Sequence, residues 1–150
     1  MECVPPELGV LTIALEPVGE SERGQERASI GAATELAPDK MKFKVTIVGA
    51  QNLVAMDMGG TSDAFCRLYR GFESVGTTTT KMKTLSPAWG EAFTVDFTGE
   101  NRSKPLRITV LDYDFICATG TGEFLGKLEI TNAELVAIWK RQCRLDSPRR

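Results

Sequence analysis

Two short acidic turns in the sequence could bind a cation. The first holds Asp57 and Asp63 around a pair of glycines, and the second is Asp112-Tyr113-Asp114. Residues i and i+2 of an extended chain point to the same side, so Asp112 and Asp114 would present their carboxylates together. Calcium prefers about six to eight oxygen ligands, several of them carboxylates. The two turns therefore predict a calcium site, with the alternative that each aspartate only caps a turn and faces water.

Other kinds of chemistry are disfavoured by the residue types. The chain has no histidine, which removes histidine bases and Ser-His-Asp or Cys-His catalysis, and no nucleophile-base pair is visible. Cys3, Cys66, Cys117 and Cys143 are scattered without a C-x-x-C pair, which argues against zinc and predicts reduced thiols in a cytosolic protein. We therefore expect a binding module and not an enzyme.

Short strands are predicted to position the acidic turns. Met41, Phe43, Val45 and Ile47 alternate with polar residues, the period-two pattern of a strand with one buried face. The same alternation occupies residues 93–97 and 106–110, and β-branched and apolar content indicates further strands at 9–16, 63–70, 76–83 and 124–131. Strands at this density predict an antiparallel sandwich or barrel.

A short helix is predicted near the C-terminus. Asn132 can cap it. Its apolar residues would share one face, and they are Leu135, Val136, Ile138 and Trp139.

Length and charge predict one domain with an acidic spot on a basic body. Residues 1–40 would add a strand at 9–16 and a long polar loop to the body formed by residues 41–150. The apolar run 9–15 is far short of a membrane span. Residues 1–40 carry eight acidic and three basic groups, and residues 41–150 carry twelve and fifteen. That layout suits a cation together with anionic lipid better than nucleic acid.

Five ordered segments resemble successive motifs of a C2 domain, and residues 9–15 resemble the opening strand of the synaptotagmin-like (type I) topology. The resemblance implies an all-β fold, an eight-stranded antiparallel Greek-key β-sandwich with the aspartate-bearing loops at one end, followed here by the short helix. Residues 139–145 are a poor final strand. The five segments are Ala50 to Leu53, Asp57 to Phe65, Lys83 to Phe93, Leu106 to Asp114 and Phe124 to Gly126.

The resemblance also implies a function and a ligand set. Asp57 and Asp63 would lie in the first calcium-binding loop and Asp112 and Asp114 in the third, with Glu123 where the family usually has an aspartate. C2 domains dock to anionic phospholipid, such as phosphatidylserine, when calcium binds, in vesicle traffic and lipid signalling. We therefore expect a cytoplasmic, peripheral membrane module. The alternative is a calcium-independent C2 fold that binds a protein partner.

Two further groups of residues are expected to touch lipid. Met58, Phe115 and Ile116 are large apolar residues beside the aspartates, where they would insert into the membrane at the loop tips. The alternative is that Phe115 or Ile116 folds back to cover the third loop. Lys81 and Lys83 are a weak version of the basic run that the family often carries on its fourth strand for phosphoinositides.

Overall fold

The computed structural model describes residues 9–18, 40–114 and 122–145, which form seven strands, a short 3-10 turn and one α-helix. The 3-10 turn, Gly99–Asn101, precedes β6, and the helix α1 spans Asn132–Leu145. The strands are β1 (Val10–Pro17), β2 (Lys40–Gln51), β3 (Ala64–Arg70), β4 (Glu73–Thr77), β5 (Ala88–Thr98), β6 (Leu106–Asp112) and β7 (Glu123–Ile130).

The strands form two antiparallel sheets around one core. One sheet has three strands in the order β1-β2-β5, and the other has four in the order β4-β3-β6-β7. Buried side chains of both sheets make up a single apolar cluster. The predicted fold class, an antiparallel β-sandwich with a short C-terminal helix, is confirmed. The resemblance predicted eight strands and the described residues form seven, since positions 139–145 belong to α1.

Strand β2 shows why the period-two pattern specifies this fold. Met41, Phe43, Val45 and Ile47 all face the core, and none is more than 1% exposed. The ring of Phe43 meets that of Phe97 edge to face, with centroids 6.1 Å apart. Burying a side chain of this size contributes roughly 1.5 to 3 kcal/mol, so this row is a main source of the stability of the sandwich.

The strand predicted at 76–83 is interrupted within the run of four threonines. Strand β4 ends at Thr77, and the next pairing that the structure describes is an isolated bridge between Ala64 and Lys81. Thr78 causes the break because its hydroxyl, Oγ1, accepts a hydrogen bond from the backbone N–H of Cys66 at 2.8 Å. A side-chain oxygen there takes the place of a ladder carbonyl.

The predicted helix forms, but a different residue caps it. The backbone N–H of Thr131 donates to Glu134 Oε2 at 2.8 Å, and the Glu134 N–H donates to Thr131 Oγ1 at 3.3 Å. This reciprocal pair is a capping box with Thr131 as the N-cap. The prediction that Asn132 caps the helix is wrong, because its side-chain amide donates to the Arg102 carbonyl at 2.5 Å.

One face of α1 closes part of the core, as predicted. Leu135 is fully buried, and the Trp139 ring meets Phe43 with centroids 5.7 Å apart. Val136 and Ile138 are half-buried against the same cluster. Within the described residues, no helix combines the length and the apolar character that crossing a bilayer requires.

Candidate functional site

Strand register gathers the acidic residues at one end of the sandwich, called the acidic end below. Asp112, the last residue of β6, lies opposite Ala64 of β3 on one side and opposite Glu123 of β7 on the other. Asp63 directly precedes β3, and Asp114 follows β6 by two residues. The negative charge of Asp57 also acts on Asp112. The acidic end therefore consists of Asp57, Asp63, Asp112, Asp114 and Glu123.

A tight turn holds Asp57. The Asp57 N–H donates to the Thr61 carbonyl at 2.9 Å, and the Gly60 N–H donates to the Asp57 carbonyl at 3.0 Å. Gly60 has a φ of 78°, the left-handed region that favours glycine. Both hydrogen bonds use backbone atoms, and the Asp57 side chain itself is half-buried.

Ser62 fastens this loop to the sandwich, a role that sequence reasoning missed. Its hydroxyl donates to the Val54 carbonyl at 2.7 Å and accepts a hydrogen bond from the Met56 N–H at 3.0 Å. The residue is fully buried. Only its place directly before Asp63 gives any signal in the sequence.

Backbone hydrogen bonds hold the carboxylates of Asp63 and Asp112. The Asp63 N–H donates to Asp112 Oδ1 at 2.6 Å, and the Lys83 N–H donates to Asp63 Oδ1 at 2.6 Å. The Tyr113 N–H donates to the Asp63 carbonyl at 2.7 Å. Asp63 and Asp112 are thus held in place across β3 and β6, and each uses one carboxylate oxygen to accept a backbone hydrogen bond.

The charges at the acidic end repel one another. Asp112 is only 3% exposed. Burial raises the pKa of its carboxyl above the ordinary value, and the negative charges of Asp57, Asp63 and Glu123 raise it further, against a lowering by the Asp63 N–H. Among the described residues, no lysine or arginine forms a salt bridge with Asp112. A cation would relieve this repulsion.

The donor set fits a hard cation, although the side chains do not yet converge. Within residues 9–18, 40–114 and 122–145, no three acidic or cysteine side chains are arranged closely enough to hold a metal ion. All five candidate ligands offer oxygen, which suits calcium or magnesium. Cys66 is fully buried, and burial above all raises the pKa of its thiol to about 12, so it stays protonated and is no metal ligand.

The predicted membrane-contacting residue Met58 is fully exposed at the tip of its loop. Sequence reasoning missed two more exposed apolar side chains of this loop, Val54 and Met56, which are 63% and 41% exposed. In the sequence, the signal that could have identified them is an apolar residue at each of two alternate positions before Met58. Phe115 and Ile116, the other predicted tips, lie outside the described residues.

The two lysines of the predicted lipid patch lie beyond β4 and next to the acidic end. Lys81 exchanges backbone hydrogen bonds with Ala64, at 2.9 and 3.1 Å. Lys83 is exposed, with a φ of 51°, and its N–H holds Asp63. The expected position on the fourth strand is therefore wrong, because the strand ends before either lysine.

The amino-acid sequence is similar to those of known proteins. A family model for the C2 domain matches residues 41–145. Synaptotagmin-2 from Homo sapiens is 32% identical over 138 residues, which cover 88% of this chain and 32% of that protein. Synaptotagmin-1 from Aplysia californica is 36% identical over 116 residues, 74% of this chain and 26% of that protein. The chain thus spans about a third or less of the length of these relatives.

Solved structures agree with this match. A C2 domain of plant Extended Synaptotagmin 1 is 28% identical, with a TM-score of 0.51, over 62% of this chain and 70% of that domain. A structure of Extended-Synaptotagmin 2 that holds its SMP domain and two C2 domains is 24% identical, with a TM-score of 0.53, over 69% of this chain and 22% of that one. The second likeness is one of fold alone.

Proposed function

The chain belongs to the C2 domain family, and from that premise we propose that it is a calcium-dependent phospholipid-binding module. It docks reversibly to membranes that contain anionic lipid. The observation that supports this most is Asp112, a buried carboxylate beside three other acidic groups, without a salt bridge within the described residues. The proposal assigns the chain no catalytic step.

The five acidic residues would hold the ion in different ways. Asp63 and Asp112 are fixed by backbone hydrogen bonds, so each offers its second carboxylate oxygen from a rigid position. Asp57, Asp114 and Glu123 would complete the set, and the longer glutamate side chain has the greatest reach. When bound, calcium supplies positive charge and coordination places that lipid phosphate oxygens can fill.

Exposed apolar residues at the acidic end would then enter the membrane. While the carboxylates are bare, they repel lipid phosphates and keep Met58 in water. Once the charge is neutralised, Met58 can reach the acyl boundary together with Phe115 and Ile116. Burying each such side chain contributes roughly 1.5 to 3 kcal/mol.

The proposed partners and place of action follow from this chemistry. We infer that phosphatidylserine-type lipid is the membrane partner, with a modest contribution from Lys81 and Lys83 to phosphoinositide contact. Scattered cysteines without a disulfide pattern support a cytoplasmic protein that associates peripherally with membranes. Relatives named synaptotagmin support a role in vesicle traffic or lipid signalling.

One observation favours a second candidate, a calcium-independent protein-interaction module. The carboxylates of the described residues do not converge on a common point. If they stay apart when calcium is added, the acidic loops are only solvated and the sandwich serves as a protein-binding surface.

Sedimentation with vesicles separates the two candidates. We expect the chain to pellet with phosphatidylserine vesicles in calcium but not in chelator, and not with phosphatidylcholine vesicles in either. Added salt should weaken the binding, because surface charge is screened over about 8 Å at physiological ionic strength. Equal pelleting in calcium and chelator would contradict the proposal and support the second candidate.

A further inference from the structure

Exposed methionines are concentrated at the acidic end. Met58 is fully exposed at the tip of its loop, and Met56 of the same loop is 41% exposed. Met82 is 59% exposed and directly precedes Lys83, whose backbone N–H holds Asp63. Met41, by contrast, is buried in the core. Every exposed methionine within the described residues therefore lies at or next to the surface that we propose meets the membrane.

A methionine side chain is oxidised where an oxidant can reach its sulfur. Hydrogen peroxide transfers one oxygen atom to the thioether. The sulfur lone pair forms the new S–O bond, the peroxide O–O bond breaks, and the leaving hydroxide takes the proton of the transferred oxygen and becomes water. Because hydrogen peroxide is uncharged, the carboxylates of the acidic end do not repel it. Met58 is thus open to oxidation, whereas Met41 is shielded by the two sheets.

Oxidation of Met58 would remove the property on which insertion depends. A thioether is apolar, but the oxygen of a sulfoxide accepts hydrogen bonds from water, and moving it away from water without a partner costs free energy. The loop itself should keep its shape, since backbone hydrogen bonds at Asp57 and Gly60 hold the turn and the Met58 side chain is fully exposed. No carboxylate changes its charge, so calcium binding should persist.

We propose that Met58 is an oxidation site through which peroxide controls membrane docking. Oxidation to the sulfoxide releases the calcium-loaded chain from anionic membranes. Methionine sulfoxide reductase restores docking, with two thiols as the reductant and a disulfide and water as the other products. The inference rests on the proposed function, in which Met58 enters the membrane.

Peroxide treatment of the intact chain, followed by vesicle sedimentation, tests the proposal. Peptide mass spectrometry measures the sulfoxide at each methionine, and we expect Met58 to be oxidised at least about tenfold faster than Met41. Calcium-dependent affinity for phosphatidylserine vesicles should then fall by about tenfold, while the calcium-dependent rise in melting temperature stays unchanged. Methionine sulfoxide reductase should restore the affinity.

Two leucine variants show whether Met58 causes the effect. Leucine is apolar, has nearly the volume of methionine and has no sulfur to oxidise. Each variant is compared with its own untreated form, so a change in starting affinity does not enter the result. Peroxide should leave the vesicle affinity of Met58→Leu nearly unchanged and lower that of Met41→Leu as much as that of the unaltered chain. Both variants keep all four cysteines, so cysteine oxidation affects them alike.

The outcomes distinguish this inference from the proposed function. If the untreated chain does not pellet with phosphatidylserine vesicles in calcium, the proposed function is wrong and this inference with it. If the untreated chain pellets and the chain with oxidised Met58 pellets equally well, only this inference is wrong. An equal loss in Met58→Leu and in the unaltered chain would also contradict it, because another group would then cause the release.

Discussion

Charged side chains repel one another at one end of the sandwich and are paired at the other end. At the acidic end, the negative charges of Asp57, Asp63 and Glu123 all act on Asp112, and no salt bridge to Asp112 is described. At the opposite end, where the β3–β4 turn and the start of β6 lie, Arg70 Nη2 forms a 2.5 Å salt bridge with Glu73. There Arg107 also lies over the rings of Tyr69 and Phe72, at 5.0 and 5.9 Å from their centroids.

Both ends expose a large apolar side chain, so exposure alone does not identify a membrane contact. Met58 is fully exposed at the acidic end and Phe72 is 91% exposed at the opposite end. What differs is the charge beside them, which is partnered near Phe72 and mutually repelling near Met58. Uncompensated like charges cost stability, so their presence favours a ligand at the acidic end, which we infer to be the functional one.

The largest expected effect concerns the buried core between the two ends, at strand β3. Cys66 of β3 is fully buried, and its pKa is raised from 9.0 to about 12. Because only the thiolate reacts, we expect the thiol at pH 8 to be labelled roughly a thousandfold more slowly in the folded than in the unfolded chain. Mass spectrometry of the Cys66 peptide after timed alkylation measures this. Fast labelling, or faster labelling in calcium, would show that the core around Cys66 opens. The two ends would then not be independent.

Calcium affinity should depend on the acidic end and not on the opposite end. Asp112→Asn preserves shape and the hydrogen bond from Asp63 while removing one charge, so we expect calcium affinity to fall by about tenfold or more. The calcium-dependent rise in melting temperature measures the loss, because the ion binds only the assembled loops. Glu73→Gln removes a carboxylate from the opposite end and should leave that rise unchanged. An equal effect of both variants would contradict the comparison.

Membrane insertion should distinguish the two exposed apolar side chains. Met58→Ala should lower calcium-dependent affinity for phosphatidylserine vesicles by about tenfold, while calcium binding itself stays normal. Phe72→Ala is the matched control and should have no effect on vesicle binding. If Phe72→Ala weakens binding as much as Met58→Ala, the membrane contacts the opposite end as well.

The smallest expected effect concerns the two lysines next to the acidic end. Replacing Lys81 and Lys83 together by alanine should lower affinity for phosphoinositide vesicles by about twofold, since only two cations at an exposed surface are lost. A larger loss, or strong phosphoinositide binding of the unaltered chain in chelator, would show that this surface is a lipid site in its own right.

The strands and their buried faces could be predicted from the sequence, because they depend on local periodicity. The alternation of Met41, Phe43, Val45 and Ile47 can be read directly because one face of β2 is buried and the other is not. Thr78 interrupts the following pattern for a reason that periodicity does not show, a side-chain hydroxyl that replaces a backbone acceptor. Thr131 and Asn132 are both good caps by type, so the contact of Asn132 with Arg102 decided between them.

The candidate site was predictable in its residue types but not in its geometry. Acidic turns at strand ends are visible in the sequence, yet the contact between Asp63 and Asp112 joins residues 49 positions apart and depends on the pairing of β3 with β6. The burial of Asp112 and the half-burial of β1 likewise follow from sheet order, which no local pattern encodes.

Calorimetric titration of the intact chain with calcium is the decisive experiment for the acidic end. We expect saturable binding at or below millimolar calcium, because clustered carboxylates with a buried member gain most from a divalent ion. The same titration of Asp112→Asn should show clearly weaker binding. If the unaltered chain gives no binding heat at millimolar calcium, the acidic end is not a calcium site and the proposed calcium-dependent docking is wrong.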